Sequence, residues 1–259
     1  MSVPSVVFVP GSFAPASLYY PLVESVVARG IEAQAINLPT VHLPGDDRIA
    51  PSLYDDGDFI ASTIEKLADK GRDVIVIGHS YGGIPLSQGT VGLSKPTRAA
   101  QGKPGGLSTV AYMTAYVPIF NESSADIQAG GEFELDVTID EQGWMWQNNR
   151  TLSAELTFSE LTPEEREPYN DILQAHSARS FVDKATQLGY KDPDISLAYL
   201  FAEKDVVIPP TVQRQMIDKL KSTGKTVDVT SIPSDHAPPI SQPDLTLEWV
   251  LKLANSSVY

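Results

Sequence analysis

Six short apolar runs, each separated from the next by a longer stretch with helical spacing, constrain the fold of this chain more than any other feature. They lie at residues 6–9, 33–36, 74–77, 110–113, 196–201 and 227–232. Most are continuous in polarity rather than alternating, as strands covered on both faces must be. Helices are predicted between and after them at 18–29, 57–70, 82–89, 211–223 and 244–254. Strand–helix alternation of this kind predicts an α/β fold with a core of about six parallel strands flanked by helices.

One segment breaks the rhythm. Between 118 and 193 no strong strand is predicted, and helical fragments are expected around Trp144-Met145-Trp146, from Thr162-Pro163-Glu164-Glu165, and over 169–187. This predicts a helical cap inserted after the fourth strand, dividing the chain into core 1–117, cap 118–193 and core 194–259. The acidic excess gathers there, in 122–141 and 155–167, and reads as a solvated outer face. With 33 acidic and 19 basic side chains among 259 residues, the net charge of −14 speaks against nucleic acid as a partner. The chain has no cysteine, which excludes disulfides, thiolate metal sites and a cysteine nucleophile. No apolar run approaches the ~18 residues of a membrane span. Met1 to Ser5 carry no basic residue and lead straight into the first strand. The expectation is therefore a soluble cytoplasmic protein without a membrane partner.

Chemistry enters after the third strand, at Gly78-His79-Ser80-Tyr81-Gly82-Gly83. A strand-to-helix turn this tight needs small residues beside its serine, and it lifts the hydroxyl out at the carboxyl edge of the sheet. Ser80 is thus the candidate nucleophile, and it needs a base held by a carboxylate. Of the four histidines, His79 is inside the turn and cannot swing back onto its neighbour. His236, just past the last strand, reaches the same edge and is the candidate base. Asp205, past the fifth strand, is preferred as the acid, with Glu203 in reserve; Asp235 adjoins the histidine and is badly placed to orient it. An oxyanion hole would take one backbone N–H from Tyr81 and another from Ser12 or Phe13, of which Ser12 is better aimed. A strand order of 2-1-3-4-5-6 would put that loop and the Ser80 turn at the switch point where open α/β sheets bind ligands.

Tyr116, Phe120, Phe133, Trp144, Met145 and Trp146 are candidates for an apolar pocket under the cap, with Trp144 and Trp146 foremost. His42, after the second strand, is a further substrate-binding candidate, whereas His176 reads as a structural or exposed cap residue. No His-x-x-x-His spacing occurs, the acidic pairs do not suggest a metal site, and nothing calls for a cofactor.

These residues resemble the small α/β-hydrolases of the esterase and hydroxynitrile-lyase group, more closely their fungal and bacterial relatives. The resemblance rests on V-F-V-P-G-S-F at 7–13, G-H-S-Y-G-G, A-E-K-D-V-V-I-P-P at 202–210 and S-D-H-A-P-P-I-S-Q-P at 234–243. It covers nearly the whole core and thins out in the cap. It implies an α/β-hydrolase core, a Ser80–His236–Asp205 triad and a cap that shapes the pocket. Two departures matter. Pro10-Gly11 stands where the group often has His-Gly, so any hydrogen bond from that histidine is missing. Ala237 stands where the lyases carry a lysine after the catalytic histidine, which disfavours cyanohydrin cleavage. The expected function is a serine hydrolase, monomeric or homodimeric, cleaving a carboxylic ester or lactone of a small, largely apolar metabolite through an acyl-enzyme. The alternative is a non-hydrolytic catalyst of cyclisation, elimination or isomerisation, or a ligand-binding protein, on the same fold. Labelling of Ser80 by a fluorophosphonate would separate the two.

Overall fold

Pro4–Val9 (β1) and Asp73–His79 (β3) are buried at every position, which only strands covered on both faces can be. The computed structural model describes residues 4–129 and 136–256. Its main sheet joins these strands to Glu32–Ala35 (β2), Gly106–Met113 (β4), Ser196–Ala202 (β8) and Val227–Ile232 (β9). All pairs are parallel, in the order β2-β1-β3-β4-β8-β9. That is the 2-1-3-4-5-6 order that places a switch point beside β1 and β3. The edge strands differ from the centre: β2 is half-buried, and β9 is buried only at its ends, Val227 and Ile232, with Val229 and Ser231 exposed.

Helices cover the sheet in pairs. Tyr20–Val27 (α1) packs on Pro243–Ser256 (α11), and Leu53–Ala68 (α2) packs on Gly83–Gly89 (α3). The start of α2 is fixed by a reciprocal cap, in which Ser52 Oγ accepts from Asp55 N–H and the Asp55 carboxylate accepts from Ser52 N–H. Lys95–Ala99 (α4), Pro210–Lys221 (α9) and Pro238–Ser241 (α10) complete the core helices. No helix among the described residues is long and apolar enough to cross a membrane.

Between β4 and β8 the architecture is mixed rather than helical. Ser124–Gln128 (α5), Arg150–Thr157 (α6), Pro163–Arg166 (α7) and Ala178–Val182 (α8) are helices. Val137–Ile139 (β5), Trp144–Gln147 (β6) and His176–Ser177 (β7) form a three-stranded antiparallel sheet. The expected helix through Trp144-Met145-Trp146 is therefore a strand, and the expected helix over 169–187 is broken by β7. The physical reason is the pairing partner. β6 gains its ladder bonds from β5 across a tight turn closed by Gly143, and from β7 some thirty residues further on. A short apolar run does not by itself distinguish strand from helix.

Candidate active site

The carboxyl ends of β1, β3, β8 and β9 converge on one place. After β3 the chain turns at once into a helical turn at Ser80–Gly82, with Ser80 in the left-handed region at φ 54°. A non-glycine residue there is strained, and the surroundings must hold it. They do so by close packing. A Cβ on Gly82 would come within 2.4 Å of the Pro10 carbonyl oxygen, and one on Gly11 within 3.0 Å of Ser80 Cβ. Tyr116 N–H also holds the Ser80 carbonyl, at 3.1 Å.

His236 Nε2 lies 2.9 Å from Ser80 Oγ, and His236 Nδ1 lies 2.7 Å from Asp205 Oδ2. Facing a carboxylate, Nδ1 carries the proton, so Nε2 is bare and accepts from the serine hydroxyl. Asp205 is itself fixed. Its Oδ1 accepts Val207 N–H at 2.7 Å and Ile208 N–H at 2.8 Å, and its Oδ2 also accepts the Thr114 hydroxyl. The structure thus brings Asp205 to the imidazole. Glu203, held in reserve by the sequence, is exposed and accepts from Ser231 Oγ. Asp235 faces the other way, bonding Ala237 N–H, Ser241 Oγ and, across to the α6–α7 segment, Glu160 N–H.

A second relay runs behind the first. His79 Nε2 faces the His236 carbonyl at 2.6 Å and must donate, so Nδ1 accepts the Tyr19 hydroxyl proton, also at 2.6 Å. Tyr19 Oη in turn accepts Gly11 N–H at 3.2 Å. Burial, reinforced by the nearby His236, lowers the His79 pKa to about 3 and keeps the ring neutral, while burial alone pushes the Tyr19 phenol well above its usual range. One tyrosine and one histidine therefore join the Gly11 loop, the serine turn and the histidine loop. Sequence reasoning missed this pair; the signal was a histidine ending an otherwise apolar strand.

The Gly11–Phe13 loop distinguishes the two candidate oxyanion donors. Phe13, at φ 63°, gives its N–H to His176 Nδ1 at 3.3 Å, and its carbonyl accepts Gln174 N–H at 2.7 Å. Ser12 N–H makes no hydrogen bond among the described residues. Tyr81 N–H, at the start of its helical turn, has no partner within that turn. His176 is fully buried on β7 and packs edge-on against Tyr81, at 4.7 Å between ring centroids, so it is neither exposed nor helical. Behind Tyr81, buried Asp56 accepts Thr40 N–H at 2.9 Å, Thr40 Oγ1–H at 2.5 Å and the Tyr81 hydroxyl at 3.2 Å. Burial raises its pKa to about 7 against the pull of those bonds.

Ser80 and His236 open into a cleft with about 570 Å³ of empty space, part of it open to solvent. Its walls include Phe13, Leu18, Leu156, Leu173 and Val207, with Gln147, Ser153 and Thr157 as polar members. None of Tyr116, Phe120, Trp144, Met145, Trp146 and His42, expected at the substrate pocket, is among its lining residues. Trp144 and Trp146 are on the other face of β6, where both pack around His42 with 5.0 Å between ring centroids. The Trp144 indole donates to the Arg48 carbonyl, that of Trp146 to Asp140, and His42 bonds the Asp46 carbonyl. Period-two alternation explains the misplacement: on a strand Trp144 and Trp146 share a face, and the opposite face carries Met145 and Gln147. Tyr116 is buried beside Asp205, and Phe120 is 65% exposed; neither borders the cleft. Phe133 lies outside the described residues.

A model of the alpha/beta hydrolase family matches residues 6–249. A probable hydrolase, R7, from Phoma sp. is 33% identical, covering 98% of this chain and 99% of that protein. A pyrethroid hydrolase from Sphingobium wenxiniae is 26% identical over 99% of this chain and 89% of its own length. Among solved structures, a pyrethroid hydrolase from Sphingobium faniae superposes with a TM-score of 0.76 at 24% identity, covering 98% of each chain. Family model, relatives and sheet order agree: this chain belongs to the alpha/beta hydrolase family.

Proposed function

We propose that the protein is a carboxylic ester hydrolase working through an acyl-enzyme on Ser80. The observation that carries this is the unbroken chain from Ser80 Oγ through His236 to Asp205 at the floor of a cleft. In this reading His236 Nε2 takes the Ser80 proton as Oγ attacks the ester carbonyl. Asp205 holds the ring in the required tautomer and stabilises the imidazolium that forms. The developing oxyanion is held by Tyr81 N–H and Ser12 N–H. The alcohol leaves with the proton from His236, and a water activated by the same ring then frees the acid. Residues 118–193 act as the cap, with Gln147, Ser153, Leu156, Thr157 and Leu173 forming its wall of the cleft. No Lys, Arg, Asp or Glu is among the described residues of that lining, which favours a small, uncharged, largely apolar ester or lactone. Relatives whose names say hydrolase support hydrolysis over non-hydrolytic chemistry.

Turnover of short-chain p-nitrophenyl esters tests the mechanism. Ser80→Ala is expected to lower kcat by about 10⁶ and Asp205→Asn by about 10⁴, the losses seen when triads elsewhere are broken. A fluorophosphonate should label Ser80. Undiminished turnover in Ser80→Ala would overturn the proposal.

A further inference from the structure

The cap wall of the cleft contains a polar group that the hydrolytic mechanism does not use. Gln147 ends β6 on the face that looks into the cleft, and its side-chain oxygen is buried without a hydrogen-bond partner. Buried polar atoms are rarely left unpaired, and a rotation of the Gln147 amide into the cleft that the residue lines would let a ligand pair it. Two hydroxyls share the wall. Ser153 and Thr157 are four residues apart on α6 and so lie on one helix face, both bordering the cleft. The Thr157 hydroxyl makes no hydrogen bond among the described residues, whereas that of Ser153 already donates to the Asn149 carbonyl and is left as an acceptor. Around them the lining is aliphatic and carries no charged side chain, so a carboxylate or an ammonium on the ligand would meet no counter-charge.

We propose that Gln147, with Thr157 and Ser153 lining the same cleft, forms a hydrogen-bonding subsite selecting esters or lactones that carry a free hydroxyl remote from the scissile carbonyl. A hydroxyl fits because it both donates and accepts. It can satisfy the Gln147 amide through either of its ends and bond a threonine or serine hydroxyl at the same time. It is also uncharged, as the aliphatic surroundings require. An analogue lacking the hydroxyl leaves the amide buried and unpaired, so discrimination comes from the site's unmet bond as well as the substrate's lost one. The inference rests on the ester-hydrolase reading of Ser80.

The experiment compares kcat/KM for p-nitrophenyl alkanoates with their chain-hydroxylated counterparts, the hydroxyl moved along the acyl chain from C3 to C8. The wild-type enzyme is expected to prefer the hydroxylated ester about tenfold to a hundredfold at the matching position. Gln147→Leu should shrink that ratio towards one, with Thr157→Val reducing it in part. The ratio is measured within each protein, so a general loss of activity does not imitate the result. Wild-type turnover of plain esters without a hydroxyl preference at any position, or a preference unchanged in Gln147→Leu, would overturn the subsite and leave the hydrolase reading standing. Absence of turnover on every ester would overturn both.

Discussion

At the scale of single residues, the side chains that meet at Ser80 follow short-range rules, whereas those that hold them in place do not. Ser80, His236 and Asp205 each follow a strand, and chain order and distance from strand ends single out Ser80 and His236 and prefer Asp205 over Glu203. Tyr19 had no such marker. It lies in a short helical turn before α1 and acts through Gly11 and His79, neither adjacent to it in sequence. Tyr19→Phe keeps the ring but strands a buried N–H and a buried imidazole nitrogen, which should cost about 1–3 kcal/mol of stability. Because the three active loops lose a common tie, kcat should fall by roughly tenfold to a hundredfold with KM little changed. Chemical denaturation and ester kinetics on the same variant check both. An unchanged kcat would mean that the relay only stabilises the fold.

At the scale of elements, the strand-to-helix turn and β6 make opposite cases. The turn was readable because its requirement is local: backbone from β1 passes so close that position 82 admits no side chain. Gly82→Ala should therefore be destabilising by about 1–3 kcal/mol or more, since the atoms it would meet are backbone and cannot swing aside. A thermal melt measures this, and a variant as stable as the parent would show that β1 can yield. For β6 the deciding information is non-local. Four residues with two tryptophans suit either helix or strand, and His176–Ser177, which pairs with them, lies some thirty residues further along the chain. The choice of strand then reverses which side chains see the cleft, bringing Gln147 to it and turning the tryptophans towards His42.

For the molecule as a whole, buried ionisable groups behind the site tie stability to pH. His79 and His176 have pKa values of about 3 against an ordinary 6.5, both chiefly through burial. Between those values the unfolded chain binds protons that the native one refuses, so stability rises with pH there and is lost as pH falls. Asp56 opposes this. At about 7 against an ordinary 3.8, it keeps a proton in the native state that the unfolded chain releases, so its contribution falls as pH rises between those values. Two histidines outweigh one aspartate, and the melting temperature should drop as the buffer is taken from pH 6.5 to pH 4. Asp56→Asn removes the opposing contribution and should make that drop steeper. Melts of both proteins across the range test it; a flat wild-type profile would contradict the neutral state of the histidines.

The sequence by itself determined the α/β class, the six core strands and the side chains at their carboxyl ends. Each of these follows from periodicity, turn chemistry or position along the chain, which are properties of neighbouring residues. Only the tertiary structure decided the rest: that β6 is a strand, that Phe13 N–H is taken by His176 while Ser12 N–H has no partner among the described residues, and that Gln147 faces the cleft. Those outcomes depend on pairing between segments far apart in the chain. Pairing fixes the face on which a side chain emerges, and a shift of one residue would send it to the other side.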